Sequence, residues 1–174
     1  MIEDWKKEIA VMVYIKQVLH DEDKSNLWPW YLPEVAATSE QLEEVERHLG
    51  HTLDGRYKLF LQHSNGWQGF YQEVDLFGTN DLLSGEKMVR ALMFLDTIDD
   101  ALRASSLSKD ELLPIAVSNT DIDFFVITLP NSASPGMVIW FAGGEIERFL
   151  NFDEYFLAMA DHNRHMIDLA KQEE

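Results

Sequence analysis

The chain has 174 residues, 46% of them hydrophobic, which suits one domain able to bury a core without a metal or disulfide staple. The absence of Cys excludes thiol catalysis, cysteine-ligated zinc, cysteine-held iron–sulfur clusters and any disulfide framework. Thirty-one Asp and Glu against 14 Lys and Arg leave a formal net charge of −17, which repels phosphate backbones and argues against a direct nucleic-acid binder.

The first residues, Met1-Ile2-Glu3-Asp4, are acidic where a secretory leader would be basic. The longest apolar run, Ile9 to Ile15, falls far short of the roughly 20 residues needed to cross a bilayer. A cytoplasmic protein with no membrane partner is the expectation, and a cargo exported without a leader is the alternative. Trp5, Ile9, Met12, Val13 and Leu19 sit at helical spacing and predict a helix over residues 4–20, although Ile9, Val11, Val13 and Ile15 also alternate as a strand would. Residues 21–37 read as an irregular connector, with the acidic run Asp21-Glu22-Asp23 and punctuation at Pro29 and Pro33. Within it, Trp28-Pro29-Trp30-Tyr31 either covers one end of the core or forms an exposed interaction patch.

Thr38 with Gln41 three residues on is a capping-box pattern, followed by the apolar stripe Leu42, Val45, Leu49 and a left-handed stop at Gly50. Leu53, Tyr57, Phe60 and Leu61 repeat the helical period until Asn65-Gly66 ends it, so the two segments form a helical hairpin. Residues 70–77 alternate as one strand, with Phe70, Val74 and Leu76 on one side and Glu73 and Asp75 on the other. Met88, Ala91, Leu92, Leu95, Ile98 and Leu102 predict helix between Ser84 and Ser105, with a break at Asp96 to Asp100.

From Leu113 the period changes. Residues 113–117, 123–129 and 137–142 are short β-rich runs separated by turns, and Gly143-Gly144 suits a tight hairpin into a returning strand over 145–150. The runs 123–129 and 137–142 are apolar on both faces, which marks strands covered on both sides or a homodimer surface. Phe152, Tyr155, Phe156, Met159 and Met166 predict a last helix, and the polar end beyond it is expected to fray. The order of elements predicts an α+β fold: an antiparallel sheet of about four to six strands, with N-terminal helices and a C-terminal helix packed on it. One domain over residues 1–174 is expected.

No phosphate-binding Gly-Lys loop, nucleophile elbow or dinucleotide fingerprint is present, and no cofactor is expected. His162, His165 and Asp168 share one helical face, His48 and His51 straddle Gly50, and Asp121-x-Asp123 pairs two carboxylates where a turn enters a strand. Each pattern also arises without any metal or catalytic role, and the expectation at each is a structural one. Ser64, Ser84 and Ser118 have no neighbouring His in the sequence. An enzyme is therefore not expected. The acidity is spread evenly: residues 1–87 carry 16 acids and 8 bases, residues 88–174 carry 15 and 6, so it belongs to the folded surface rather than to a tail.

Residues 38–67, with Glu46, Gly50, Leu53, Tyr57, Phe60, Asn65 and Gly66 in order, resemble the signature of the SUKH superfamily. That superfamily includes the fungal Smi/Knr cell-wall-assembly regulators and many bacterial immunity proteins. Leu113-Pro114-Ile115-Ala116, Asp123-Phe124 and Val138-Ile139-Trp140-Phe141 look like its strand core, and residues 149–156 like its closing helix, so the likeness spans 38–158. Asp54 stands where the family pattern has proline, and Asp can cap the helix that follows. The resemblance implies helices packed on an antiparallel sheet, no catalysis, and motif residues that carry fold rather than specificity.

For bacterial members it implies neutralisation of a cognate toxin, often a nuclease, and for fungal members a signalling scaffold. The leading expectation is thus an immunity protein that occludes a basic toxin, and the alternative is a regulatory protein-binding module without a toxin partner. Candidate contact residues are the acids Asp121, Asp123, Glu145 and Glu147 at strand ends, with Trp28, Trp30 and Trp67 as aromatic anchors.

Overall fold

The computed structural model describes residues 1–172; the expected fraying at the polar end concerns Glu173 and Glu174, which lie outside the described residues. The helices are α1 (Trp5–Glu22), α2 (Ser39–Leu49), α3 (Gly55–Leu61), α4 (Thr79–Leu82), α5 (Glu86–Leu95), α6 (Asp99–Ala104) and α7 (Phe152–Ala170). The strands are β1 (Trp67–Tyr71), β2 (Val74–Leu76), β3 (Leu112–Ser118), β4 (Phe124–Thr128), β5 (Val138–Phe141) and β6 (Glu145–Phe149). They form one antiparallel sheet in the order β1-β2-β3-β4-β5-β6, so each strand pairs with its neighbour in sequence. The fold is α+β.

Local chemistry sets the helix ends. Thr38 Oγ1 accepts the Gln41 N–H and Gln41 Oε1 accepts the Thr38 N–H, closing the capping box on α2. Gly50 ends that helix at φ +76°, the left-handed conformation its stop requires. Asp54 Oδ1 accepts the N–H groups of Arg56 and Tyr57, so the departure from proline keeps the start of α3 capped. Asp4 caps α1 and Asn151 caps α7 in the same way.

Consecutive residues of a strand point to opposite faces, and β4 shows what covers each. The Phe124 ring meets Phe94 of α5 at 6.1 Å, whereas Phe125 meets Tyr155 of α7 at 5.1 Å. Helices therefore lie on both faces, which accounts for the two-sided apolar runs without a homodimer surface. On the α7 face, Trp5, Phe60, Phe152 and Phe156 make an aromatic cluster with centroids 5.1–6.0 Å apart. Tyr155 touches Phe70 of β1, Phe125 of β4 and Phe149 of β6, so the sheet curls around α7.

Residues 70–77 are not one strand. β1 and β2 form a hairpin whose turn is Gln72-Glu73, with Gln72 at φ +50°. Asp75, expected on the solvent side, is buried: it accepts the Gly69 N–H at 2.7 Å and an Asn119 amide proton at 2.9 Å, and pairs with Lys87 at 3.1 Å. The expected break in the α5 region occurs, separating α5 from α6. No helix of the described residues is long and apolar enough to cross a membrane.

Candidate protein-binding surface

In a meander, alternate turns fall at the same end of the sheet. Here the β1–β2, β3–β4 and β5–β6 turns share one end: the Asn119 N–H donates to Glu73 O at 3.0 Å, and Ile122 Cδ1 lies 3.6 Å from where a Cβ on Gly143 would be. Asp121 and Asp123 lie in the β3–β4 turn at that end, and Glu145 and Glu147 lie on β6 beyond the β5–β6 turn, Glu145 reaching Ser105 beside α6 and Glu147 reaching His162 of α7. Two isoleucines stand exposed among them, Ile122 at 48% and Ile146 at 53%. Arg90 of α5 holds the β3–β4 turn from behind, donating to Ser118 O at 2.8 Å and Asp121 O at 3.2 Å while its guanidinium lies over the Phe94 ring.

The four acids differ in what they leave free. Asp121 is exposed and accepts the N–H of Ile122. Asp123 is half-buried and accepts the Trp140 indole N–H at 2.7 Å; burial raises its carboxyl, the indole bond pulls the other way, and the Asp121 charge adds to the rise. Glu145 is tied to Arg148 at 2.8 Å and to the Ser105 hydroxyl, and the Arg148 bond holds its carboxyl below the ordinary value. Glu147 is exposed and lies 3.4 Å from His162 Nε2. His162 in turn contacts Tyr71 and Trp140, so residues from β1, β5, β6 and α7 meet beneath this end.

The aromatic candidates divide. Trp28 and Trp30 lie half-buried on the connector between α1 and α2, Trp28 with its N–H on Asp23 and Trp30 stacked on His20 at 5.5 Å. Trp67 corrects the expectation: it is 1% exposed, packs on Phe70 and donates its indole N–H to Tyr31 O, leaving no face for a partner.

The motif residues are structural in detail. Glu46 accepts the Leu53 N–H at 3.0 Å and the Lys58 ammonium at 2.9 Å, tying α2 to α3 across the Gly50 turn. Tyr57 and Phe60 are fully buried, and the Tyr57 hydroxyl donates to Phe77 O at 2.7 Å. Asn65 Oδ1 accepts the Thr79 N–H at 2.7 Å and its amide donates to Thr79 Oγ1 at 2.9 Å. Gly66, at φ +93°, lies against Gly78, where an added Cβ would meet Gly78 N at 2.6 Å.

Sequence reasoning missed one polar pair. His48 Nε2 and Ser84 Oγ are 3.0 Å apart, with Ser84 at φ +73°. Both are exposed, and among the described residues no acceptor holds the other ring nitrogen to orient it as a base. Among the same residues no three His, Asp or Glu side chains converge closely enough to hold a metal ion. His165 and Asp168 face solvent, apart from half-buried His162.

The sequence profile of the SMI1 / KNR4 family (SUKH-1) matches residues 36–158, more than half of the chain. The chain belongs to this family. No curated protein is similar enough to be matched to it. The SUKH-1 match opens just before α2 and closes within α7, so it takes in the helical hairpin, the Asn65-Gly66 contact and the whole sheet. Helix α1 and connector residues 23–35 precede the SUKH-1 region.

Proposed function

We propose that this SUKH-1 protein is a non-catalytic immunity protein that binds a basic protein toxin, a nuclease in the first instance, and neutralises it by occlusion in the cytoplasm. The observation that carries the reading is the hairpin-turn end of the sheet, where Asp121 and Asp123 flank the exposed Ile122 along the chain and Glu145 and Glu147 flank the exposed Ile146. A nuclease cleft presents cations to bind phosphates, and an acidic surface of net −17 is steered to such a cleft from a distance. Asp121 and Glu147 supply exposed charge, and Ile122 and Ile146 supply apolar contact once water is expelled. Asp123 and Glu145, bonded to Trp140 and Arg148, hold the shape of the end.

Occlusion needs no cofactor and no reacting group. The test is co-expression with the product of the adjacent reading frame. Growth should be rescued, and the association rate should fall as salt rises, because steering is screened by ions. A toxin that keeps full activity against saturating protein overturns the reading. Recovery of a housekeeping client with no toxic neighbour would favour the regulatory module instead.

A further inference from the structure

The connector between α1 and α2 is held firmly by its backbone, and while Trp28 and Trp30 stay half-buried, four of its other apolar side chains turn outward. Pro29 sits on Gly69, where an added Cβ would come within 3.0 Å of the Pro29 ring. Tyr31 O accepts the Trp67 indole N–H, Glu34 N–H donates to Gly66 O at 3.2 Å, and Val35 O accepts the Asn65 N–H at 3.1 Å. Against that fixed backbone, Leu27 is 55%, Tyr31 50%, Leu32 58% and Val35 86% exposed. A segment that packed only to cover the core would point such residues inward.

Polar grooves flank this ridge. A groove of about 520 Å³ between the connector, α2 and α4 is lined by Glu34, Gln41, Asn65, Gln68, Asn80 and Asp81. A second, of about 250 Å³, runs from Tyr31 to Glu73, Asp75 and Asn119, joining the ridge to the acidic end of the sheet. Lys87 borders the first groove, but Asp75 at 3.1 Å and Asp81 at 3.8 Å neutralise it. The grooves therefore offer carboxylates and amides beside an apolar crest. Their complement is a chain segment that alternates cations with apolar side chains.

We infer that residues 27–35 form a docking ridge for a basic, amphipathic segment of the protein partner. Its apolar side chains seat on Tyr31, Leu32 and Val35, its Lys or Arg side chains reach Glu34 and Glu73, and the amides of Gln41, Gln68 and Asn80 meet its backbone. This rests on the proposal that the partner is a basic protein and adds where, and by what chemistry, it is gripped. The fixed backbone lowers the ordering cost of binding. The ridge precedes the residues that the SUKH-1 profile matches, so it can set partner choice while the shared fold stays constant.

The test titrates the full-length ¹⁵N-labelled chain with a short synthetic peptide alternating Arg and Leu. Two companions replace every Arg by Glu or every Leu by Ser. Amide shifts from the Arg–Leu peptide should cluster at residues 27–35, Gln68 and Asp81, and both companions should bind more weakly. The double variant Leu32→Ser, Val35→Ser should bind about tenfold more weakly with an unchanged thermal midpoint, since both side chains are more than half exposed. Shifts confined to residues 119–123 and 143–147, or to Val89, Leu92 and Met93 of α5, overturn the ridge while leaving a basic partner in place. Equal affinity of the double variant, or no binding of the Arg–Leu peptide, also overturns the ridge. Binding of the Glu–Leu peptide as tight as that of the Arg–Leu peptide removes the basic partner as well.

Discussion

At the junction of α3 with the sheet, Asn65, Tyr57 and Glu46 each commit their polar atoms to a named partner, on Thr79, Phe77 and the Leu53–Lys58 pair respectively. At the hairpin-turn end, Asp121 and Glu147 stand exposed beside Ile122 and Ile146. The first region spends its polar atoms inside the fold and is intolerant of change, and the second has little structural work to do. The contrast places the residues that define the family in the first region. A shared signature can thus persist while the surface that meets a partner varies.

The sharpest break in this contrast is Gly78→Ala. Its Cβ would lie 2.1 Å from Asn65 O and 2.8 Å from the adjoining carbonyl carbon, both rigid backbone atoms. The junction would have to open, at a cost of about 4 kcal/mol or more, read as loss of the cooperative unfolding transition at ordinary temperature.

Lys16 is a buried charge that departs from the pattern of fully committed groups. It is 2% exposed at the α1–α7 seam, its ammonium is 3.4 Å from Asn163 Oδ1, and among the described residues no carboxylate pairs with it. Burial lowers its pKa to about 8. Below that value both folded and unfolded chains carry the proton, and the folded state bears the full cost of the buried charge. Between about pH 8 and 10.5 the unfolded chain holds the proton that the folded one has released, so stability should rise by about 3 kcal/mol. Above pH 10 the buried phenols of Tyr57 and Tyr155, whose pKa values burial pushes up, act in the opposite direction. Lys16→Met should capture most of that gain at neutral pH and flatten the rise, measured by urea denaturation across pH.

Tyr57→Phe leaves the ring in place and strands the Phe77 carbonyl in the core. A loss of about 2 kcal/mol is expected by the same measurement.

Much of this division is legible in the sequence. The Thr38 capping box, the Asp54 cap, the Gly50 stop and the break before Asp99 are local, and local chemistry writes itself into neighbouring residues. The β1–β2 turn escaped because Gln72 adopts φ +50° with none of the glycine that usually marks it. Trp67 differs from its expected exposure for another reason: an aromatic at a strand start reads the same whether buried or exposed, and only the fold of the connector over it decides. The buried Asp75 depends on Lys87 from α5 and Asn119 from the next turn, and the Ser84–His48 pair joins residues 36 apart. Periodicity records which face a residue occupies within its element, but not which faces meet. The acids of the hairpin-turn end stand out in the sequence as strand-end charges. That their two turns share one end follows from the nearest-neighbour strand order, which puts alternate turns together.

Charge removal separates the two regions on a finer scale. In Glu46, burial pushes the carboxyl up, but the Lys58 ammonium and the Leu53 N–H outweigh it, and the net value lies below the ordinary one. Its contribution is therefore complete above the unfolded value and drains as pH falls through the folded one. Glu46→Gln should cost about 1 kcal/mol at neutral pH and remove that part of the acid sensitivity. Asp121→Asn with Glu147→Gln should change stability by no more than about 0.5 kcal/mol, because both carboxylates are exposed, Asp121 meets only the adjoining Ile122 N–H and Glu147 meets only the His162 ring at 3.4 Å. Relief of repulsion on a surface of net −17 would even favour a slight gain. If that pair costs as much as Glu46→Gln, the hairpin-turn end is part of the fold's bracing, and the open region must be sought elsewhere on the molecule.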